Sequence, residues 1–216
     1  MTVTALRRKE NLLPSLPGFE AINRYRDHQH DVVAAKILPG EYYVTQQDEM
    51  IVTVLGSCIS ACIRDPVARI GGMNHFMLPV ATEENKNRWG DSYLSAATRY
   101  GNYAMEHMIN DILKYGGRRE RLEVKITGGG RVLAQMTDVG LRNIQFVDEY
   151  VRTESLNVVS RDVGGNLPRK VQYFPLSGRA RVKKIISMHN NTIIERENNY
   201  LHSLEQKPVA GEVELF

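Results

Sequence analysis

The sequence predicts an α+β domain, a mixed α/β fold of three layers in which helices pack on a mixed, largely antiparallel sheet. Short runs with the period-two alternation of strands lie at both ends of the central part of the chain, where hairpins are predicted. Two longer stretches between them repeat apolar residues every three or four positions, which is typical of amphipathic helices. This mixture of the two periods favours the α+β class.

The first predicted strands surround a short Gly-Ser-Cys turn. An apolar, β-branched run at residues 50–55 predicts a buried strand that stops at Gly56. The alternation over residues 59–64 predicts a second strand, although a helical turn that starts at Ser57 or Cys58 fits the same residues. In the strand interpretation, the turn occupies the bend that follows a buried strand.

The rest of the body continues the mixture of strands and helices. Asp65-Pro66 is typical of a turn, so the next strand can run back antiparallel to residues 59–64. The further elements are predicted as a return strand at 70–78, a long helix from Asp91 or Ser92 to Gly116-Gly117, a strand at 122–126, a helix at about 139–153, a strand at 157–159 and a hairpin of 170–174 with 179–186. In the second helix, four apolar residues are expected to point inward: Leu141, Ile144, Val147 and Val151.

Residues 37–187 carry these elements and are expected to form one domain. Residues 1–36 contain prolines and a polar stretch, and this composition suits an N-terminal extension that packs loosely. Residues 188–216 are also polar and are expected to form a C-terminal extension. The length of 216 residues is sufficient for one ordinary domain with short extensions.

The composition excludes several classes of protein. Apolar residues make up 42% of the chain and charged residues 25%, so a soluble protein with a core is expected. No apolar run approaches the roughly 18 residues of a membrane span, and no signal-peptide pattern is present, so neither membrane insertion nor secretion is expected. The net charge of +3 is too small to indicate a nucleic-acid partner. We therefore expect a cytoplasmic protein.

The chain has two cysteines, Cys58 and Cys62. On one extended strand they would lie roughly 13 Å apart, too far for a disulfide, whereas a helix would leave a disulfide barely possible. Two free thiols in a reducing cytoplasm are therefore expected. Cys62 lies within the apolar alternation of its strand, and we interpret it as structural.

Cys58 is the candidate nucleophile. A strand that enters a Gly-Ser-Cys turn places the thiol on a bend, where successive N–H groups at Gly56, Ser57 and Cys58 can point toward an incoming carbonyl. The antiparallel return strand can bring His75 beside Cys58, and a neighbouring imidazolium lowers the pKa of a thiol. From spacing alone, packing roles fit both residues as well, because buried cysteines and lone histidines are commonly structural.

Two other patterns have more than one interpretation. Gly128–Gly130 match neither the P-loop nor the dinucleotide fingerprint, so they indicate a close structural approach or a wall of the substrate cleft. The basic residues of the last hairpin predict a solvated face or a contact with an acidic protein partner: Arg179, Arg181, Lys183 and Lys184. No group of histidines has the spacing of metal ligands, so no metal site is expected.

Several separated motifs also follow one another along the chain. They begin with Thr53, an apolar link and Gly56-Ser57-Cys58, followed by Asp65-Pro66 and His75-Phe76-Met77-Leu78-Pro79. Further motifs are Tyr93, Gly116-Gly117, Lys125-Ile126-Thr127-Gly128-Gly129, Gly140-Leu141-Arg142-Asn143 and Asp162-Val163-Gly164-Gly165-Asn166. In this order, over about residues 40–187, the chain resembles the chemoreceptor glutamine deamidase family, CheD.

The resemblance implies a cysteine-dependent hydrolase, a protein-glutamine glutaminase that converts particular glutamines of methyl-accepting chemotaxis receptors to glutamate and releases ammonia. The family's catalytic Cys, His and Thr fall on Cys58, His75 and Thr53. The resemblance also implies a fold like the catalytic domains of deamidating toxins, no metal or organic cofactor, and, for some members, a partner phosphatase of the CheC type.

The mechanism expected from these residues passes through a thioester. His75 takes the proton of Cys58, the thiolate attacks the glutamine carbonyl, and Thr53 orients the imidazole. Backbone N–H groups from Gly56, Ser57 and Cys58 stabilise the oxyanion. This mechanism requires the sulfur to lie near the ring and to be reachable by a carboxamide. Two alternatives stay open. The first is a non-catalytic adaptor, which would bind either the receptor or a CheC-type phosphatase. The second is a transglutaminase or peptidase that acts on a different carbonyl.

Overall fold

The computed structural model describes residues 12–79, 92–132, 139–186 and 190–206. Its strands are β1 (Asn23–Asp27), β2 (Val32–Lys36), β3 (Tyr42–Thr45), β4 (Glu49–Leu55), β5 (Ile59–Asp65), β6 (Ile70–Asn74), β7 (Glu123–Gly128), β8 (Asn157–Val163), β9 (Arg169–Phe174) and β10 (Arg179–Lys184). Its helices are α1 (Ser92–Lys114), α2 (Val139–Thr153) and α3 (Asn190–Gln206), with a short 3₁₀ turn at Arg119–Arg121.

The strands form two sheets of five. Sheet 1 has the order β1-β2-β4-β9-β10, and sheet 2 has the order β3-β6-β5-β7-β8. The pairs β2–β4 and β7–β8 are parallel, and the other neighbouring pairs are antiparallel. The predicted class, a mixed α/β fold with largely antiparallel pairing, is therefore confirmed, and the structure divides the strands between two sheets.

One apolar core joins both sheets to the helices. Helix α1 packs on β3, β5 and β6, and helix α2 packs on β5 and β8, so both helices cover sheet 2. The core includes residues from sheet 1, sheet 2 and the helices, among them Leu55, Tyr173, Ile63, Met73, Met105 and Val147. Apolar side chains from different elements are buried against one another here, and this burial of apolar surface is the main favourable contribution to folding.

Most predicted elements of the body are present. The second helix spans Val139–Thr153 as predicted, and the last hairpin pairs β9 with β10. The prediction that Leu141 points inward is wrong, because its side chain is 53% exposed. The inward face of α2 instead carries the fully buried Asn143, a polar residue that a count of apolar positions does not select.

The return strand is shorter than the predicted 70–78. Strand β6 ends at Asn74, whose side-chain oxygen accepts the Ala61 N–H at 2.8 Å in place of a regular backbone pairing. Pairing with β5 resumes for one bridge, between Ile59 and Phe76. The interruption leaves His75 between two paired positions.

Both ends of the chain contain more structure than expected. The loose packing predicted for residues 1–36 is wrong for two segments, because β1 and β2 pair with each other and β2 pairs with β4. Within the predicted C-terminal extension, residues 190–206 form helix α3, whose Leu201 is buried in the core. In the described part of the chain, no helix has both the length and the apolar character needed to cross a bilayer.

Candidate active site

The Gly-Ser-Cys turn connects the two sheets. The chain leaves sheet 1 at Leu55 and enters sheet 2 at Ile59, so residues 56–58 lie at the crossing point. No helical turn begins at residue 57 or 58, and the strand interpretation is confirmed. Both cysteines are free thiols, and both are buried.

Three hydrogen bonds hold the carbonyl groups of this turn. The donors are Gly130 N–H to Gly56 O (2.8 Å), Asn143 Nδ2 to Ser57 O (2.8 Å) and Gly129 N–H to Cys58 O (2.7 Å). With every carbonyl engaged, the N–H groups of the three turn residues are left to interact elsewhere. The turn is therefore preorganised as a group of backbone donors, the type of site that binds anions.

Asn143 connects the Gly-Ser-Cys turn to the segment that follows His75. Its side-chain oxygen accepts the Leu78 N–H at 2.8 Å while its Nδ2 donates to the Ser57 carbonyl. The close approach predicted for Gly128–Gly130 is also present, since a Cβ at Gly128 would lie 2.4 Å from the Cys58 carbonyl oxygen. Asn143 and Gly128–Gly130 therefore hold the turn in place.

His75 is oriented by Thr53. Thr53 Oγ1 lies 2.7 Å from His75 Nδ1 and donates its only proton to the Ile37 carbonyl at 2.9 Å. The hydroxyl must then accept from Nδ1–H, which places the imidazole lone pair on Nε2. Nε2 is buried, and among the described residues it has no hydrogen-bond partner. A buried nitrogen of this kind is suited to take a proton from a neighbouring thiol.

Cys58, His75 and Glu197 converge at this point. Sγ, a ring nitrogen and a carboxylate oxygen all lie within 4.8 Å of one another. The antiparallel bridge between Ile59 and Phe76 brings the two segments together, as the turn at residues 65–66 predicted. The structure thus brings together Cys58, His75 and Thr53, and it adds Glu197, which the sequence analysis did not select.

Glu197, from helix α3, binds the N–H groups of the turn. Its Oε1 accepts from Gly56 at 2.8 Å and from Cys58 at 3.1 Å, and its Oε2 accepts from Ser57 at 2.8 Å. A Cβ at Gly56 would lie 2.7 Å from Oε2, so only glycine allows this approach. The backbone groups predicted to hold an oxyanion therefore hold a carboxylate in this conformation.

The surroundings of both groups favour the neutral thiol and the neutral imidazole. Burial, the charge of Glu197 and a hydrogen bond to its carboxylate raise the pKa of Cys58 well above its ordinary value. Burial and the positive charge of Arg196 lower the pKa of His75 to about 3. The sulfur meets the proximity requirement of the expected mechanism, but it is fully buried, so a carboxamide cannot reach it in this conformation.

A separate cavity reaches the imidazole but not the sulfur. This cavity of about 220 Å³ is lined by Thr53 and His75 and by three basic side chains, Lys36, Lys170 and Arg196. Arg196 belongs to α3, so this helix contributes both to the cavity wall and to the cover of Cys58.

The same side chains include the ligand types that bind zinc. Cys58, His75 and Glu197 could offer a thiolate, an imidazole and a carboxylate to a cation. Both carboxylate oxygens already accept backbone N–H groups, and one imidazole nitrogen is bonded to Thr53. The carboxylate charge is therefore matched by the dipoles of the turn, and the arrangement needs no cation to account for it.

Two residues of this site were missed by reasoning from sequence. Asn143 enters only as the last residue of the Gly140-Leu141-Arg142-Asn143 motif, and Glu197 belongs to none of the motifs. A signal for Glu197 exists in the spacing of Ile193, Glu197, Tyr200 and Leu201, which lie on one face of a helix. A carboxylate on an otherwise apolar face indicates either a buried partner or a binding role.

Comparison with known proteins agrees with these features. A family model described as CheD chemotactic sensory transduction matches residues 77–184. A protein of Halorhodospira halophila named probable chemoreceptor glutamine deamidase CheD is 58% identical over 217 residues, which cover 100% of both chains. Proteins with the same name from Saccharophagus degradans and Methylobacillus flagellatus are 52% and 54% identical, over 95% and 91% of this chain and 94% and 96% of their own lengths.

Proposed function

This chain belongs to the CheD family, and from that premise we propose that it is a chemoreceptor glutamine deamidase, a hydrolase that converts receptor glutamines to glutamates. The observation that carries the proposal is the convergence of the Gly56 and Cys58 N–H groups on one oxygen atom beside the Cys58 thiol. Their distances, 2.8 and 3.1 Å, suit donors to the oxyanion of a tetrahedral intermediate.

The first half of the reaction forms a thioester. His75 Nε2 removes the proton of Cys58, and the thiolate attacks the carboxamide carbon of a receptor glutamine. The N–H groups of Gly56 and Cys58 stabilise the oxyanion. In comparable enzymes, one such donor lowers the activation barrier by about 2.7–4 kcal/mol. The imidazolium then protonates the amide nitrogen, which leaves as ammonia.

The second half restores the enzyme. His75, again neutral, removes a proton from water, which attacks the thioester carbon, and Cys58 leaves as the thiol. Thr53 keeps Nδ1–H engaged throughout, so the same ring nitrogen acts as base and acid. The products are a receptor glutamate and ammonia, and the new negative charge on the receptor is the output of the reaction.

The location and partners of the protein belong to the same proposal. Two free thiols favour the reducing cytoplasm, where the signalling parts of chemoreceptors are accessible. A phosphatase of the CheC type is the proposed regulatory partner. The exposed basic residues of β10 offer a surface for an acidic protein: Arg179, Arg181, Lys183 and Lys184.

Intact-mass measurement of a receptor tests the proposal. We expect incubation of the chain with a purified chemoreceptor cytoplasmic domain to add the mass difference between glutamine and glutamate at each modified site, with one ammonia released per site. Cys58→Ala should lower the rate at least about a thousandfold, as removal of a catalytic nucleophile does, whereas Cys62→Ala should leave it nearly unchanged.

The same measurement separates the rival activities. A receptor that binds the chain without any change of mass would favour the adaptor. A larger mass gain when a primary amine is added would indicate a transglutaminase, and backbone cleavage would indicate a peptidase. Full activity of Cys58→Ala would exclude the proposed nucleophile.

A further inference from the structure

Helix α3 carries the side chain that closes the site. Glu197 is 1% exposed, and its carboxylate fills the position beside Cys58 where the reacting group of a substrate must lie. Its partners are residues 139 to 141 positions earlier in the chain, so only the folded structure brings them together. The cover over Cys58 therefore includes a terminal helix in addition to the sheets.

The carboxylate lies as the product of deamidation would. A glutamate released by the enzyme carries the same γ-carboxylate, and its oxygen would remain on the donors that had bound the oxyanion. In Glu197 that oxygen is Oε1, which accepts from Gly56 and Cys58. The second oxygen accepts from Ser57. A buried carboxylate is tolerated only with such compensation, and three N–H donors provide it.

Further contacts dock the helix. The Tyr200 hydroxyl bonds to the Tyr100 hydroxyl of α1, and Leu201 packs in the core. The Tyr200 ring also lies against Gly40, where a Cβ would be 2.9 Å from Cε2. Because the Gly40 N–H donates to the His75 carbonyl at 2.7 Å, Tyr200 rests on the segment that holds the catalytic imidazole. The docking is thus built from several elements.

We propose that the N–H groups of Gly56, Ser57 and Cys58 form a binding site for a glutamyl carboxylate carried on a helix, and that Glu197 is its resident ligand. The helix is then an intramolecular inhibitor, which a receptor glutamine must displace. This inference rests on the proposed function for its effect on catalysis, whereas the occupancy itself can be measured on the thiol alone.

Thiol labelling measures the occupancy directly. The full-length chain is treated with iodoacetamide at neutral pH, and alkylation of Cys58 and Cys62 is followed by peptide mass spectrometry. In Glu197→Ala we expect Cys58 to react about tenfold faster or more, because the observed rate follows the fraction of open molecules. Glu195→Ala removes the same charge from an exposed position of the same helix and should react like the unsubstituted chain.

Cys62 serves as an internal control for folding. It is fully buried in β5, so it should stay slow in every variant that keeps the fold. Equal rates at Cys58 in Glu197→Ala and the unsubstituted chain would overturn the proposal. Faster labelling of both thiols would indicate general unfolding, and the decision would then rest on the isosteric variant Glu197→Gln.

Glu197→Gln presents a carboxamide at the place of the carboxylate. Cys58 can attack it, release ammonia and, after hydrolysis by one water, regenerate the glutamate; the double variant with Cys58→Ala should remain an amide. Conversion, or faster labelling of Cys58 without conversion, supports the proposal. An unconverted amide with Cys58 labelled at the unsubstituted rate overturns it.

Receptor deamidation by the same variants separates the two proposals. Faster labelling and faster deamidation in Glu197→Ala support both. Faster labelling with no receptor deamidation in any variant supports the inhibitory contact and removes the proposed activity. If Glu197→Ala and the unsubstituted chain show the same labelling rate at Cys58 and the same deamidation rate, and the deamidation depends on Cys58, the proposed activity stands and the inhibitory role of α3 is excluded.

Discussion

The two cysteines lie four residues apart and are equally inaccessible, but they are buried by different parts of the molecule. Cys62 lies in the middle of β5, opposite Met73 of β6 and Lys125 of β7. Cys58 lies in the turn between the sheets, and its cover includes Glu197 of α3. The neighbours of Cys62 come from the two sheets, including Tyr173 of sheet 1. Part of the cover of Cys58 comes instead from helix α3.

The pKa values of the two thiols are raised by different sets of groups. Burial raises the pKa of Cys62 to about 12, and nearby Lys125 opposes the shift only in part. The pKa of Cys58 is raised by burial and, in addition, by the negative charge of Glu197. Complete burial of a thiol therefore does not by itself distinguish an inert cysteine from a nucleophile. We propose that the origin of the cover makes that distinction, because the contact that covers Cys58 comes in part from one helix.

Among the residues that surround the thiol, the largest effect is expected from the imidazole. His75→Gln removes the proposed base for Cys58, so receptor deamidation should fall by about 10²–10⁴-fold. In a Glu197→Ala background, iodoacetamide should also react more slowly with Cys58, while the rate at Cys62 stays unchanged. Deamidation that persists at the original rate would mean that another group activates the thiol.

Asn143→Ala should affect both stability and catalysis. The substitution leaves the Ser57 carbonyl and the Leu78 N–H without their side-chain partner, so we expect a loss of about 2–4 kcal/mol in the free energy of unfolding. Urea denaturation measures this loss, and the deamidation rate should fall because the turn is less well held. Leu141→Ala, on the exposed side of the same helix, is the matched control, and an equal effect there would contradict the assignment.

Thr53→Val should cause a moderate loss of activity. It leaves Nδ1–H of the buried His75 without an acceptor, which costs about 1–3 kcal/mol. A penalty of this size in the transition state lowers the deamidation rate by roughly 5–150-fold. Thr53→Ser keeps the hydroxyl and should retain most activity. Thr127→Val is a matched control because, among the described residues, the buried Thr127 hydroxyl has no hydrogen-bond partner. A similar loss in both valine variants would indicate a packing effect.

The smallest expected effect is a shift of a pH profile. Glu197 raises the pKa of Cys58, so Glu197→Ala should lower it, and the alkylation rate should reach its half-maximum at a lower pH than in the unsubstituted chain. The direction follows because a neighbouring negative charge disfavours the thiolate. The profile of Glu195→Ala should not move, and a common shift in both variants would indicate a general charge effect.

Local patterns were sufficient to predict much of the fold. The second helix, the Asp65-Pro66 turn and the last hairpin depend on periodicity and turn residues within a few positions of one another, and all are present. The turn also allowed His75 to return beside Cys58, because a strand that runs back antiparallel can bring the two positions together. The choice of Thr53 came from the resemblance to the family rather than from such a pattern.

The sequence by itself determined the class of the fold and most of its central elements, since these follow from short-range patterns. The pairing of Cys58 with His75 was allowed by those patterns and indicated by the resemblance to the family. Only the tertiary structure decided that Asn143 supports the Gly-Ser-Cys turn and that Glu197 binds its N–H groups. Such contacts join residues 86 to 141 positions apart. The helical spacing places Glu197 on an apolar face, but it does not say which groups the carboxylate meets, because burial of a polar side chain becomes favourable only when the fold supplies its hydrogen-bond partners.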